Sequence, residues 1–342
     1  MLVLLLVVFV NFVGIGALIP VLPYAVIETL GLSATIMTML LASFAFAMFL
    51  SNPLLGRLSD HVGRRQVLIF SLSVNVLAHI WFAASTDIVQ MFAARVFAGL
   101  AAGNTGVIQA MIADRVKPKE RARYMGLFGA AIGTGFVAGP ALGGLFSGLG
   151  GGPLHQAPFL LAAGFGAVAL LLSLRLNESK TKATMPIAAN ISSLERITTI
   201  FHSELALYAL AFFCLSLSFA QVEASYVLLI RDYLGFEAIE TGWLFTYIGV
   251  CIVLVQAVLI NVAVRNFGDV GTVVFGACLL LLGQWLTVLM SFGFLAGANY
   301  PLVQTLITTT VVCFGFGFSN PALSAAASNA VGNTTRGAAL GT

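Results

Sequence analysis

The sequence predicts an all-α integral membrane protein, and three observations support that prediction. The 342 residues are 59% hydrophobic and only 8% charged, whereas about a quarter of the residues in soluble domains are charged. The mean hydropathy is +1.01. Apolar runs of the ~20 residues that a helix needs to cross a bilayer recur along the chain, and the alternating ten-residue pattern of a membrane β-barrel is absent.

The apolar runs are separated by polar or Gly/Pro-containing breaks and predict ten membrane spans. The first run has no basic residues before it and is too long for the core of a signal peptide, so we interpret it as a span. The four cysteines are isolated within apolar runs, which favours small buried side chains over disulfides or metal ligands. The predicted spans cover residues 3–24, 35–55, 67–84, 88–113, 124–146, 157–176, 205–230, 241–263, 271–295 and 301–327.

Basic residues are concentrated in alternate connections between the spans. They follow spans two, four, six, eight and ten, whereas the other connections contain only Arg231. Because loops rich in lysine and arginine stay in the cytoplasm, this bias predicts a multi-pass protein of the cell inner (plasma) membrane. Its amino terminus and its central loop are predicted to be cytoplasmic.

The two halves of the chain resemble each other on either side of a polar stretch at 177–203. LGLSATIMTML, which contains Gly31, aligns with LGFEAIETGWL, which contains Gly235, at an offset of 204 residues. The HVG that ends at Gly63 aligns with the NFG that ends at Gly268 at an offset of 205. Two parallel halves of about six helices are typical of secondary transporters.

The repeat predicts an N-terminal six-helix bundle at 1–176, a cytoplasmic linker at 177–203 and a C-terminal bundle at 204–342. The same offset places the last residue opposite the middle of span five. We therefore expect a fragment of about ten spans, whose C-terminal bundle stops early in an eleventh span with the last two spans missing.

The stretch GRLSDHVGRR at 56–65 is unusually charged for this chain and lies between spans two and three. Its glycines permit a tight turn and close backbone approach, and Asp60 is placed to accept from an arginine or to cap the third span. Asp114 ends span four at the same face. A charge cluster at a helix seam favours a conformational latch, and the alternative is plain anchoring by basic residues. The predicted latch consists of Gly56, Asp60, Gly63, Arg64, Arg65 and Asp114.

Few ionisable residues lie well inside the predicted spans, where such residues are usually functional. Glu223 in span seven and Arg95 in span four lie at comparable depth, and a guanidinium beside a desolvated carboxylate would tune its proton affinity. His79 in span three is a second titratable group. Glu223, Arg95 and His79 are the candidates for proton coupling. The alternatives are a structural Arg95–Glu223 pair and a satisfied interior histidine.

Uncharged polar residues inside the spans are candidates for lining a substrate cavity. Together with aromatic side chains they would form an amphipathic pocket suited to apolar, drug-like molecules. The alternative for each is an interhelical hydrogen bond. The candidates are Asn11, Asn104, Gln109, Tyr226, Gln256 and Gln284.

Span five carries glycines at four-residue spacing, which make a smooth strip where another helix can approach closely. Pro140 removes one backbone donor and favours a bend. A helix that can bend and pack closely is suited to a transporter that alternates between two conformations. The alternative is that the glycines serve only close helix packing. The motif residues are Gly135, Gly139, Pro140, Gly143 and Gly144.

Several of these motifs resemble those of the major facilitator superfamily. The stretch at 56–65 resembles its signature loop, RVFAG at 95–99 resembles its RxxxG element, and GFVAGPALGG at 135–144 matches the GxxxGPxxGG element of its antiporters. GIGALIPVLP in span one resembles the first helix of the drug/proton antiporters of this superfamily. The first half of the chain is most similar to bacterial tetracycline/proton antiporters. The resemblance implies a fold of two pseudo-symmetric six-helix bundles.

The chain departs from the tetracycline antiporters at three acidic positions. Asn11 stands where they carry an acid in span one, their span-three acid falls at about Ala78, and their span-nine acid falls at about Leu280. These acids are tied to substrate and proton handling in that family. Glu223 is the predicted replacement.

The sequence therefore predicts a secondary active transporter that exports a hydrophobic or amphipathic small molecule, drug-like and tetracycline-type, by proton antiport through alternating access. The alternative is a carrier of a polar metabolite, with or without proton coupling. No HExxH, GxSxG or P-loop motif occurs and the histidines are scattered, which argues against an enzyme with catalytic residues. The predicted partners are a small-molecule substrate and the lipid bilayer, without nucleic acid, in a monomer. No cofactor or metal is expected, and the proton gradient is the energy source.

Overall fold

The computed structural model describes residues 1–117, 120–149, 156–179, 205–292 and 300–330. All regular secondary structure in these ranges is helical, which confirms the predicted all-α class. Two short π-helices, Tyr24–Thr29 and Val255–Leu259, supplement the α-helices. The α-helices are α1 (Leu2–Ala17), α2 (Ala34–Val62), α3 (Arg64–Ala84), α4 (Ile88–Ala102), α5 (Thr105–Arg115), α6 (Arg121–Ser147), α7 (Gln156–Leu174), α8 (Leu205–Leu234), α9 (Ala238–Leu254), α10 (Ile260–Ser291) and α11 (Pro301–Ala330).

Eight helical segments in the described ranges are long and apolar enough to cross a membrane, and α1 is a shorter apolar helix. One of the eight runs over 54 residues, from Ala238 to Ser291. At 1.5 Å per residue this run would be ~80 Å long, far more than the ~30 Å of a hydrocarbon core. Gly268 interrupts it with φ 69° and ψ 177°. The run therefore contains predicted spans eight and nine, with the turn between them at Gly268.

Spans one and two end at residues other than those predicted. Span one was predicted to continue to residue 24, but α1 ends at Ala17 and turns follow, since Pro20 and Pro23 lack the N–H that a continuing helix needs. Span two was predicted to end near 55, but α2 continues to Val62. The charged stretch is therefore the last two turns of a helix and the start of the next, rather than a loop.

Span four is broken, which the sequence analysis did not predict. Gly103 and Asn104 separate α4 from α5 and have turn geometry. Two side-chain hydrogen bonds hold the break: Asn52 Oδ1 accepts from the Gly106 N–H at 3.2 Å, and Asn104 Nδ2 donates to Ser71 Oγ at 2.9 Å. Gly103 also packs closely on α2, since a Cβ there would lie 2.7 Å from the Asn52 backbone nitrogen. Within a bilayer an interrupted helix needs such neighbours to satisfy its backbone.

The four described glycines with positive φ reproduce the internal repeat. Gly31 has φ 65° and Gly235 has φ 68°, at the offset of 204 residues. Gly63 has φ 121° and Gly268 has φ 69°, at the offset of 205. Residues with a Cβ rarely adopt these values. The repeat inferred from the sequence thus places the same special turns at matching points of both halves.

The chain divides into two units by packing. The first comprises Met1–Ala183 together with Phe236–Gly249, and the second comprises Thr184–Gly235 together with Val250–Thr342. In the first unit, α1, α3 and α5 share an apolar core that includes Leu4, Leu72 and Ile108. In the second, α8, α10 and α11 meet around Leu215, Leu280 and Val312. The predicted boundaries at 176 and 204 stay a prediction.

Candidate functional site

The predicted latch residues gather around the guanidinium of Arg64. Its Nε lies 2.6 Å from Asp114 Oδ2, and its Nη2 lies 3.1 Å from Asp60 Oδ1. The side chains of Arg64 and Asp114 are only 13% and 10% exposed, whereas that of Asp60 is 60% exposed. Because screening by water weakens exposed ion pairs, the Arg64–Asp114 pair is the stronger of the two. Arg64 thus links the start of α3 to the ends of α2 and α5.

A second set of contacts joins this cluster to the residues that follow α7. The Arg65 N–H donates to both carboxylate oxygens of Glu178 at 3.2 and 3.1 Å, and Arg65 Nη2 donates to the Leu174 carbonyl at 2.8 Å. Arg115 donates to the Asn177 carbonyl. Ser179 Oγ lies 3.4 Å from Asp114 Oδ2. The cluster therefore connects α2, α3, α5 and the residues after α7.

The two glycines of the latch differ in their surroundings. Gly63 forms the turn between α2 and α3, and a Cβ there would lie 2.9 Å from Glu178 Oε2. The predicted close approach at Gly56 is wrong for the described residues, because no atom of them lies within 4 Å of where its Cβ would be. Gly56 lies within α2, so it forms no turn.

The glycines of α6 form one seam against α1. A Cβ on Gly135 would lie 2.8 Å from the Phe12 Cβ, and one on Gly139 would lie 2.7 Å from the Val13 carbonyl oxygen. A Cβ on Gly143 would overlap the Ala17 carbonyl. These three positions lie on one face, one turn apart. The predicted close helix approach at this motif is therefore present, and we call this contact the α1 seam.

A second face of α6 packs against the segment Phe236–Gly249. A Cβ on Gly144 would lie 2.8 Å from the Ala238 carbonyl oxygen, and one on Gly242 would lie 2.5 Å from the Pro140 carbonyl oxygen. Gly249 packs on Val137 in the same way, since a Cβ on Gly249 would lie 2.6 Å from Val137 Cγ2. Pro140 lies inside α6, between these contacts. We call this contact the α9 seam.

Tyr24 ties the same segment to the chain after α1. Its hydroxyl donates to the Phe236 carbonyl at 2.8 Å and lies 2.7 Å from Thr241 Oγ1. Both Tyr24 and Thr241 are buried. Sequence reasoning missed Tyr24, Thr241 and Gly242, because their contacts join positions more than 90 residues apart and no local pattern indicates them.

The candidates for proton coupling are only partly described. Arg95 is buried, and its guanidinium carbon lies 4.9 Å from the Phe82 ring centroid and 5.9 Å from that of Phe44, which are cation–π distances. His79 is also buried and lies within the electrostatic influence of Arg95. Glu223 lies on α8, but its side chain falls outside the described residues. The Arg95–Glu223 pair therefore stays a prediction.

The cavity candidates fall into two groups. Gln109 and Gln256 are exposed, whereas the other four make interhelical hydrogen bonds, as the alternative interpretation anticipated. In the first unit, Asn11 accepts from Asn75 and Asn104 donates to Ser71. In the second, Tyr226 bonds to Thr309 and Gln284 donates to Ser218. Their role in a cavity stays a prediction.

Comparisons with known proteins agree with this architecture. The model of the family described as Major Facilitator Superfamily matches residues 4–342. The chain is 32% identical to the class C tetracycline resistance protein of Escherichia coli, over 87% of this chain and 78% of that protein. It is 28% identical to the class H tetracycline resistance protein of Pasteurella multocida (99% and 83%) and to multidrug resistance protein 2 of Bacillus subtilis (95% and 80%).

Solved structures agree at the level of the fold. The nucleoside transporter NupG matches with a TM-score of 0.77 at 14% identity, over 99% of this chain and 85% of that chain. The D-xylose-proton symporter matches with a TM-score of 0.74 at 18% identity and the same coverage. The all-helical fold expected from the signature motifs is therefore confirmed. The chain belongs to the Major Facilitator Superfamily, and it is a multi-pass secondary transporter rather than an enzyme.

Proposed function

We propose that the protein exports a hydrophobic or amphipathic small molecule in exchange for protons, by alternating access. The relatives named above are tetracycline and multidrug resistance proteins, at 28–32% identity. The observation that carries the proposal is the packing of α6, whose GxxxGPxxGG residues contact α1 on one face and Phe236–Gly249 on another. Substrate and proton act by binding one of two conformations better than the other.

The two seams of α6 are suited to different tasks in this cycle. The α1 seam is lined by three glycines at four-residue spacing, and we infer that α1 and α6 move together through the cycle. The α9 seam combines the close contacts at Gly144, Gly242 and Gly249 with the Tyr24 hydroxyl bonds, which can break and re-form while the helices stay intact. We infer that the α9 seam opens and closes during transport, while the α1 seam stays intact.

The latch lies on the face that the positive-inside bias assigns to the cytoplasm. Arg64, Asp114 and Asp60 lock α2, α3 and α5 together, and Glu178 extends the lock to the start of the central linker. In this proposal the latch keeps its ion pairs in one conformation and loses some of them in the other.

We assign the proton site to Glu223, because it is the carboxylate well inside a predicted span. The test uses full-length protein in proteoliposomes with an imposed pH gradient and ethidium or tetracycline as probe. We expect gradient-driven uptake by the wild type, loss of it in Glu223→Gln, and retention in the control Glu237→Gln, whose carboxylate lies at an exposed residue. Undiminished coupled transport by Glu223→Gln contradicts the assignment, and probe movement that ignores the gradient supports an uncoupled carrier instead.

A further inference from the structure

A line of polar side chains runs through the interior of the first unit along α3. Ser71, Asn75 and His79 are spaced four residues apart and therefore lie on one face of the helix. They are 1%, 3% and 3% exposed. Their neighbours on the same buried side of α3 are apolar, among them Leu68, Leu72 and Phe82. A polar row buried at such depth needs hydrogen-bond partners to be stable.

The partners come from α1 and from the break between α4 and α5. Asn75 Nδ2 donates to Asn11 Oδ1 of α1 at 3.2 Å. Asn104, at the break between α4 and α5, donates through Nδ2 to Ser71 Oγ at 2.9 Å, and the Ser71 hydroxyl donates to the Leu68 carbonyl at 2.9 Å. The amide nitrogens and the serine hydroxyl are thereby satisfied.

Two acceptors in this row are not satisfied by the described residues. Asn75 Oδ1 and Asn104 Oδ1 are buried and have no hydrogen-bond partner there, and the two asparagines are 3% and 1% exposed. Asn104 bonds to Ser71, which lies one turn before Asn75 on α3, so both asparagines adjoin the same part of that helix. Buried amide oxygens in proteins are almost always paired with a donor.

We propose that these two oxygens form a water site inside the first unit, beside the break in span four. The two acceptors and their burial determine which ligand the site can bind. Two open acceptors require a hydrogen-bond donor, and their burial among side chains of α1, α3 and α5 restricts it to a very small molecule. Water meets both requirements, and buried water characteristically bridges polar groups of this kind.

The site has a structural consequence for span four. Gly103 packs on the backbone of Asn52, and Gly106 donates to the Asn52 side chain, so α2 satisfies one side of the break. Asn104 faces α3, and the water lies on that side. The break is then completed by one neighbouring helix and by one bound ligand. The proposal does not depend on proton coupling or on the identity of the substrate.

Thiol reactivity in the full-length protein tests this site. The four native cysteines are replaced, and single cysteines are placed at Ser71→Cys or at the matched control Leu72→Cys, which neighbours it on α3 and is equally buried at 0% exposed. The probe is Ag⁺, which travels in water and binds the thiolate, and intact mass reports the reaction. We expect Ser71→Cys to react at least ~10-fold faster than Leu72→Cys, because only hydrated thiols ionise readily.

A second set of variants ties the reactivity to the two oxygens. Adding Asn75→Leu and Asn104→Leu to Ser71→Cys removes both acceptors and should lower its rate to that of Leu72→Cys. Equal rates at positions 71 and 72 in the starting background would overturn the proposal, as would a rate at 71 that survives the loss of both asparagines. If Ser71→Cys does not fold, Asn75→Cys replaces it with the same control. Asn104→Leu alone is then added, because it removes the one acceptor that remains, and a rate at position 75 that survives this change would overturn the proposal.

Discussion

Arg64 and Asp114 form a nearly buried ion pair, with Arg64 Nε 2.6 Å from Asp114 Oδ2. The residues are 50 positions apart in the chain, at the start of α3 and near the end of α5. The same guanidinium also reaches Asp60, one turn before it across the Gly63 turn. This geometry ranks the two carboxylates by burial, and the ranking can be measured.

Replacing Asp114 should therefore cost more stability than replacing Asp60. Asp114→Asn leaves the Arg64 charge largely buried, and we expect it to lower the free energy of unfolding by about 2 kcal/mol. Asp60→Asn removes an exposed partner and should cost less than about 1 kcal/mol. Thermal unfolding in detergent, followed by circular dichroism, measures both. Equal losses would show that Arg64 does not favour Asp114.

The α1 seam implies that glycines at different positions of α6 differ in their tolerance of a side chain. Gly143→Ala should reduce folded yield severely, because its Cβ would overlap the Ala17 carbonyl. Gly133→Ala lies on the same helix with no described atom within 4 Å of the new Cβ, so it should be neutral or stabilise by up to about 1 kcal/mol. Folded yield and melting temperature check both, and a stable Gly143→Ala protein would contradict the seam.

The hydroxyl of Tyr24 should matter for the α9 seam. Tyr24→Phe leaves the Phe236 carbonyl and the Thr241 hydroxyl without this partner and should cost about 1 kcal/mol. Under the proposed cycle it should also change the transport rate, because the seam separates more easily. Tyr300→Phe, at a tyrosine that is 68% exposed, is the control. If Tyr24→Phe and Tyr300→Phe have the same melting temperature and the same transport rate, the Tyr24 hydroxyl has no role in the mechanism.

The turn between α2 and α3 should tolerate no side chain. Gly63 has φ 121°, and a Cβ there would also lie 2.9 Å from Glu178 Oε2. Gly31 has φ 65° with open space around its Cβ position. Gly31→Ala should therefore cost about 1–2 kcal/mol from backbone strain alone, and Gly63→Ala should cost clearly more. A smaller loss at Gly63 would mean that Glu178 moves away freely.

The predictions from sequence succeeded where the signal is periodic or repeated. Membrane-length helices follow from the length of the apolar runs, and the repeat that pairs Gly31 with Gly235 and Gly63 with Gly268 reappears in their φ angles. The convergence of Asp60 and Asp114 on one arginine was also accessible, because the positive-inside bias places the ends of spans two and four on one face.

Other features left no readable trace in the sequence. The break at Gly103–Asn104 lies in an apolar run long enough for one continuous span, which concealed the weak helix propensity of its glycine and asparagine. The donors and acceptors of α2 and α3 stabilise the break. Glu178 was assigned to a polar linker, because nothing local indicates a partner 113 residues earlier at Arg65. Sequence separation, rather than unusual chemistry, explains these omissions.

The inclusion of Phe236–Gly249 in the first unit affects how the molecule could be divided or recombined. A chimera joined within residues 177–203 would take the residues before that junction from one parent and Phe236–Gly249 from the other. Tyr24 would then meet an unfamiliar Thr241 counterpart, and Gly144 would meet whatever side chain replaced Gly242. Hybrid proteins should therefore fold only when Phe236–Gly249 and the residues that it contacts come from the same parent.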